Sequence, residues 1–422
     1  MLAEFLGART VCVLSSLCLA YNELHDRGLA ALSGALDEGS LLKALDVSFN
    51  GIRDVAPLAA VLKRNRSLTS LDLGMNAIED ASQLALSLRS NDTLTWCSLL
   101  WNAFDDTKQL AAVAANSDGS RLTLCGLADG QTEVSFPRER LRTVDGVLIT
   151  RELAQHSRLQ AVDLSHNDLG PPAATALASA LPACRALARL NVEDNWLSGA
   201  RIKFGMVVGT RDPSGLAALA SALSSAPSLT QLNIANNGID AHDARVLGEA
   251  VAGPGGSKLR GLHVGSGACQ LPVQRLRGRD EAGTTAAQSG VLDLSPMRLD
   301  DYDCVVVCTA LVVCPKITQL VLRDSAIGVI GCLALGDAVA AGGALTRLDL
   351  RGEMMMQNGS GKRELGAALL ACPPSPLAFL SCDAWSLGPD MISIDLSGKG
   401  LAEGDCVLLA GWGGGVGVES RE

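Results

Sequence analysis

The chain has 422 residues and a formal net charge of −10, with 48 % of its residues hydrophobic and only 3 % aromatic. That acidic balance argues against nucleic acid, which calls for a basic face, and makes a basic partner the electrostatically favoured one. No apolar run approaches the roughly 18 residues of a membrane-spanning helix, and the longest candidate, Cys304–Cys314, reads as a buried helix.

A single unit, L-x-x-L-x-L-x-x-N-x-L, recurs along the chain. Its central L-x-L is a short strand with inward leucines, its Asn serves the turn that follows, and its last aliphatic residue begins the return path. Leu14, Leu17, Leu19, Asn22 and Leu24 fill the first copy. This reading is preferred to a signal peptide at Val11–Ala20, because Glu4 spoils the basic leader. Leu42–Ile52, Leu68–Ile78 and Leu94–Phe104 follow with Asn50, Asn76 and Asn102. Leu58, Val61 and Leu62, and then Leu84 and Leu88, form apolar stripes at helical spacing between the copies. Each unit is therefore strand, turn, helix and return loop.

Residues 121–141 depart from the pattern, since the strand-like pairs Leu122/Leu124 and Val134/Phe136 stand too close to admit a helix. Leu159–Leu169 and Leu187–Leu197 resume it with Asn167 and Asn195. Residues 198–215 are an insertion between strand and helix, carrying Arg201, Lys203 and Arg211 and placed to close over one edge of a ligand. Leu229–Ile239, LTQLNIANNGI, matches the unit at every fixed position. In 268–290 a polar, basic segment replaces a helix and reads as a mobile loop. Beyond it the Asn position passes to Met297, Ser325, Glu353 and Lys399 while the strand leucines persist, which predicts a softer C-terminal half. Residues 380–401 repeat the departure of 121–141. The expectation is one solenoid over 1–410, of roughly 12–14 repeats, followed by a flexible Gly-rich tail at 411–422. No polar caps are recognisable at either end, which points to a larger assembly or to self-association through the ends.

The repeat spacing, the strand template and the Ala/Leu-rich helices resemble leucine-rich repeats of the ribonuclease-inhibitor type, as in innate-immune receptors and Ran GTPase-activating proteins. The resemblance implies an α/β fold: a right-handed horseshoe with a parallel sheet on the concave face and helices on the convex one. It also implies a protein partner, bound on the concave face.

The residue between the two strand leucines faces away from the core, because strand side chains alternate. Asp46, Asp72 and Asp163 occupy this position. Neighbouring strands lie about 4.8 Å apart, so Asp46 and Asp72 crowd each other and invite a basic ligand. The residue just before each Asn is sharper still: Tyr21, Phe49, Met75 and Trp101, then His166, with Trp96 close to Trp101. Large apolar or amphipathic groups at one repeating position of an acidic surface read as binding anchors.

Catalytic and cofactor signals are weak. There is no phosphate-binding G-x-x-x-x-G-K-[ST] loop, and the histidines make no ligand-spaced pair. Cys304, Cys308 and Cys314 lack a fourth ligand and read as core, and thirteen scattered cysteines favour a reducing, cytoplasmic setting. The expectation is a non-enzymatic interaction module, with no cofactor and no metal. Activation of a Ran-like GTPase is the alternative that the resemblance raises; the short Gly-rich end in place of a long acidic tail speaks against it.

Overall fold

The structure is a computed structural model. It describes residues 14–36, 40–104, 122–127, 130–203, 206–253, 258–279, 290–313, 316–352, 360–371, 377–389, 391, 394, 396–397, 399 and 401–413, the side chains of 201–203 and 207 excepted. The fold is α/β, and the chain divides into two compact units, Met1–Leu187 and Ala188–Glu422.

The first unit is built of layers. Strands β1 (Ser16–Cys18), β2 (Ala44–Asp46), β3 (Ser70–Asp72) and β4 (Trp96–Ser98) form a parallel sheet. Its register puts Leu17, Leu45, Leu71 and Cys97 side by side. Helices α1 (His25–Ala35), α2 (Ala56–Leu62) and α3 (Ser82–Leu88) return the chain between strands and pack on one another. Parallel pairing demands such a crossover. The core is the stacked leucines: Leu45, Leu71, Cys97, Leu58, Leu62 and Leu84 are all at most 2 % exposed. Burial of each such side chain stabilises by about 1.5–3 kcal/mol, but only when the next layer lies on it. After β4 come β5 (Glu133–Ser135), α4 (Thr143–Leu153), β6 (Ala161–Asp163) and α5 (Gly170–Ala180), with β5 and β6 parallel.

The Asn of the repeat ties successive layers together. The Asn76 amide donates to the carbonyls of Leu73 and Gly74 in its own layer, and to Val47 in the layer before. Its Oδ1 accepts the N–H groups of Asn50 and Ile52. Asn50, Asn102 and Asn167 bond in the same manner. A second ladder escaped the sequence reading. Asn65 and Asn91, at the helix-to-strand returns, donate to Leu36 and Leu62 and accept from the Leu68 and Leu94 N–H groups. Its signal is N-x-[ST]-L-T, present twice.

The departure at 121–141 holds no regular strand where Leu122/Leu124 were expected. Thr123 and Cys125 make isolated bridges to Trp96 and Ser98. The missing layer is filled by acids of α4. Glu152 accepts from the Thr123 hydroxyl and from the Leu124 and Cys125 N–H groups. Asp145, 1 % exposed, accepts from the N–H groups of Arg142 and Trp101.

In the second unit β7 (Arg189–Asn191), β10 (Gln231–Asn233) and β11 (Gly261–His263) run parallel. The insertion between β7 and α6 (Ser214–Ala222) is an antiparallel hairpin of β8 (Ala200–Lys203) and β9 (Met206–Gly209). Helix α7 (Ala241–Ala252) follows β10. The expected mobile loop at 268–290 is structured in its first part. There β12 (Leu271–Pro272) pairs antiparallel with β11, and α8 (Val273–Leu276) buries the apolar Val273 and Leu276 together with Gln274, whose amide donates to the Leu259 carbonyl. Residues 280–289 lie outside the described residues.

A second parallel run comprises β13 (Val291–Asp293), β14 (Gln319–Val321), β15 (Arg347–Asp349) and β16 (Phe379–Ser381). Helices α9 (Asp301–Val313), α10 (Val329–Ala340) and α11 (Ser360–Ala371) pack consecutively. Strand β17 (Ser386–Leu387) closes antiparallel on β16. The expected second strand pair around Ile394 falls largely on residues outside those described. The tail expectation needs correction at its start, because α12 (Glu403–Gly413) continues through Gly411–Gly413. Gly411 lies directly on the Gly366 backbone, a contact closer than any side chain would allow.

Candidate functional site

The position just before each repeat Asn has an unexpected backbone. Tyr21, Phe49, Met75, Trp101 and His166 all have φ between 53° and 59°, in the left-handed region. Arg138, Asp194, Asn236 and Asp324 at this position, and Gly352, also have positive φ, from 50° to 79°. Left-handed conformation is uncommon outside glycine, so its recurrence is a property of the repeat. It swings the chain out of the strand and points each N–H at the next layer. Tyr21, Phe49 and Met75 thus donate to the carbonyls of Ser48, Gly74 and Leu100. Among the described residues no regular strand layer follows Trp101 before β5, and its N–H donates instead to the Asp145 carboxylate at 2.8 Å. Burial raises the pKa of Asp145, an effect its backbone donors and Arg142 oppose.

With the backbone satisfied, the side chains of these positions stand clear of the sheet to different degrees. Tyr21 is 69 % exposed and Phe49 51 %. Their rings stack, centroids 4.6 Å apart and planes at 27°. Met75 and His166 are half-buried. Trp101 is more committed to the fold. Its ring meets Phe136 edge-on at 6.3 Å, and its Nε1 donates to the Glu139 carbonyl at 2.7 Å. Trp96, on β4, is half-buried against Gly126. Arg138, the residue at this position in the β5 layer, was missed in the sequence because Glu139 stands where the Asn should be.

Asp46 and Asp72 lie side by side in register on β2 and β3. Each accepts a hydrogen bond from the backbone two residues on: Ser48 N–H at 2.9 Å for Asp46 and Gly74 N–H at 2.8 Å for Asp72. The Asp72 pKa is raised, chiefly by burial and further by the Asp46 charge, against the pull of the Gly74 N–H. Asp163 makes the same local bond to Ser165 N–H, but it lies on β6 opposite Ser135 and is not part of that pair.

In the second unit the left-handed position holds Asp194, Asn236, Asp324 and Gly352, and the first two line a cleft of about 640 Å³. Asp194 and Asn236 are joined there by Ala200 and Arg211 of the insertion, Asp240 at the start of α7, and Asp300 and Tyr302 at the start of α9. The hairpin is seated through Gly238, where φ is 68° and any Cβ would overlap the Ala200 carbonyl oxygen. Arg211 fastens the hairpin's outgoing arm. It donates to the Gly238 carbonyl at 3.1 Å, pairs with Asp240 at 2.9 Å, and pairs with the buried Asp243. Among the described residues, no group of His, Cys, Asp or Glu is arranged to hold a metal ion, and no helix is long and apolar enough to cross a membrane.

Comparison with known families bears on what these layers are. The Leucine Rich repeat family model matches residues 40–56, 64–87 and 156–178. Those three segments carry leucine-rich repeats. The matched segments are the ones that hold Asn50, Asn76 and Asn167 and the left-handed residues Phe49, Met75 and His166. Among solved structures, the chain is similar to an internalin C2 from Listeria monocytogenes, with 19 % identity, a TM-score of 0.29, and coverage of 59 % of this chain and 80 % of that one. It is also similar to an internalin F from Listeria monocytogenes, with 16 % identity, a TM-score of 0.31, and coverage of 84 % and 88 %. A search of curated proteins finds no match.

Proposed function

We propose that this leucine-rich-repeat chain is a non-enzymatic protein-interaction module of the ribonuclease-inhibitor-like subclass, acting in the cytoplasm as a scaffold or recognition protein. Its contact surface is the left-handed row of the first unit together with the carboxylates beside it. The observation that carries this reading is the stacked pair Tyr21 and Phe49. Two aromatic side chains, more than half exposed, are held in place by a backbone whose own hydrogen bonds are already satisfied. Rigid aromatic groups that remain in water are the type of residue that dominates binding energy at protein interfaces. Met75, Trp96, Trp101 and His166 extend the surface, while Asp46, Asp72 and Asp163 favour a partner with basic groups.

The test is parallel affinity capture with mass spectrometry, using the wild type, Tyr21→Ala/Phe49→Ala, and Leu86→Ala, which alters an exposed leucine on helix α3. A partner retained by wild type and Leu86→Ala but lost by the double variant is the expected result. Identical capture by all three would overturn the reading. Single-turnover GTP hydrolysis by Ran, with and without the chain, separates it from the GTPase-activating alternative; no acceleration is expected.

A further inference from the structure

We propose that two copies of this chain associate through strand β9, whose outer edge pairs antiparallel with the same edge of the second copy. The product is a four-stranded sheet, β8–β9 from one copy and β9–β8 from the other. The contact lies in the inserted hairpin and uses none of the residues of the left-handed row.

The edge is open. The hairpin is a sheet of two strands, with Ala200, Arg201, Ile202 and Lys203 opposite Gly209, Val208, Val207 and Met206. In such a pair every second residue turns its N–H and C=O away from the partner strand. Among the described residues, no backbone group of Met206, Val207, Val208 or Gly209 bonds outside the hairpin. An edge of this kind is a template for another strand.

The two edges differ in charge, and that difference selects β9. Strand β8 carries Arg201 and Lys203, whereas β9 reads Met-Val-Val-Gly and carries no charge. Lysine and other charges blunt an edge against pairing, and joining β8 to its own copy would set like charges opposite one another. Strand β9 has neither obstacle. Met206 is 66 % exposed and Val208 38 %, so apolar side chains stand in water beside the open backbone.

A second copy is the occupant because this edge complements itself. A two-fold axis at Val207 sets Met206 of each copy opposite Val208 of the other, with N–H facing C=O on both sides. The chain as a whole opposes self-association, at −10 per copy, but Arg201 and Lys203 are the only charges in 200–209 and make the hairpin locally positive. Pairing through β9 leaves the two β8 strands three spacings apart, about 14 Å, beyond the Debye length of about 8 Å at physiological ionic strength. Repulsion between the two β8 strands is therefore screened.

The experiment is sedimentation velocity of the whole chain over a concentration series reaching about 300 µM, because so small an interface binds weakly. The wild type is expected to move towards twice the mass of one chain as concentration rises. Met206→Glu/Val208→Glu places carboxylates opposite Lys203 and Arg201 within the hairpin, which supports it, and opposite each other across the two-fold, which opposes pairing. Association of this β9 variant should be weaker by about tenfold or more. Hydrogen exchange at low and high concentration locates the contact: wild-type protection should grow with concentration at residues 206–209 and not in β1–β4. The row variant, Tyr21→Ala/Phe49→Ala, should associate as the wild type does. A wild type that stays single at the highest concentration would overturn the proposal and leave the edge to an extended segment of a different protein. Association without protection gained at 206–209, undiminished in the β9 variant, or lost in the row variant would overturn it as well.

Discussion

Phe49 allows the backbone and side-chain roles of the left-handed position to be measured separately. Its φ of 54° costs an L-residue roughly 1–2 kcal/mol relative to the right-handed region, a cost glycine avoids. Its ring contributes the stack on Tyr21, worth about 0.5–1.5 kcal/mol. Phe49→Gly therefore loses the stack, regains most of the conformational cost, and gives back about 0.5–1 kcal/mol to the greater freedom of the unfolded chain. The net change should lie within about 1 kcal/mol. Phe49→Val loses the same stack and places a branched Cβ at positive φ, where such residues are true outliers. It should be destabilised by about 2–3 kcal/mol, the lost stack plus the added strain. Urea unfolding followed by far-ultraviolet circular dichroism gives the midpoints, and hydrogen exchange at residue 49 reports the N–H bond to Gly74 directly. Equal destabilisation by glycine and valine would refute a handedness requirement. A loss above about 3 kcal/mol for glycine would mean the ring is a structural anchor and not a surface free for a partner.

Three further outcomes are expected. Asn76→Ala removes donors to three carbonyls and acceptors for two N–H groups, and should lower stability by about 2–4 kcal/mol in urea unfolding, more than substitution of any exposed row residue. Gly238→Ala should displace the hairpin, since the added Cβ meets the Ala200 carbonyl; faster hydrogen exchange in residues 200–209 with little change elsewhere is the signature. Asp303, buried at the start of α9, has its pKa pushed up to about 7, first by burial and then by Asp300. The folded chain then holds a proton that the unfolded chain releases near pH 4. Its contribution to stability is accordingly greatest at low pH and is lost as pH rises from about 4 to about 7. A shift of about three units caps the effect near 4 kcal/mol. Asp303→Asn should remove it, so the variant gains on the wild type between pH 5 and pH 8 in urea midpoints.

The layers themselves were legible in the sequence, because the strand leucines and the Asn recur at a fixed spacing that a parallel stack requires. Their register, Leu17 beside Leu45 beside Leu71 beside Cys97, follows directly from it. What the pattern could not show was how the stack closes where a layer fails. Asp145 lies 44 residues from Trp101 and Glu152 27 residues from Cys125, and neither belongs to the repeat motif. Their role exists only once the folded neighbours leave N–H groups without a strand to receive them. The aromatic row was visible as side chains, but its left-handed backbone was hidden. Phe, Met, Trp and Arg share no propensity for positive φ, and the conformation is imposed by the turn. Trp101 illustrates the limit. It matches its neighbours in sequence position, yet its indole is bonded to Glu139.

The left-handed turn also sets which substitutions the surface tolerates. Tyr, Phe, Met, Trp, Arg, His, Asp, Asn and Gly all occupy it in this one chain, and Val, Ile and Thr do not occur among those ten positions. Because the turn itself requires only the main chain there, the outward lettering can be respelled one layer at a time, except where the side chain is also bonded to the fold, as at Trp101 and Asn236. A designer wishing to redirect what this chain grips has a ready set of addresses, with stiff, branched side chains as the one forbidden part of the alphabet.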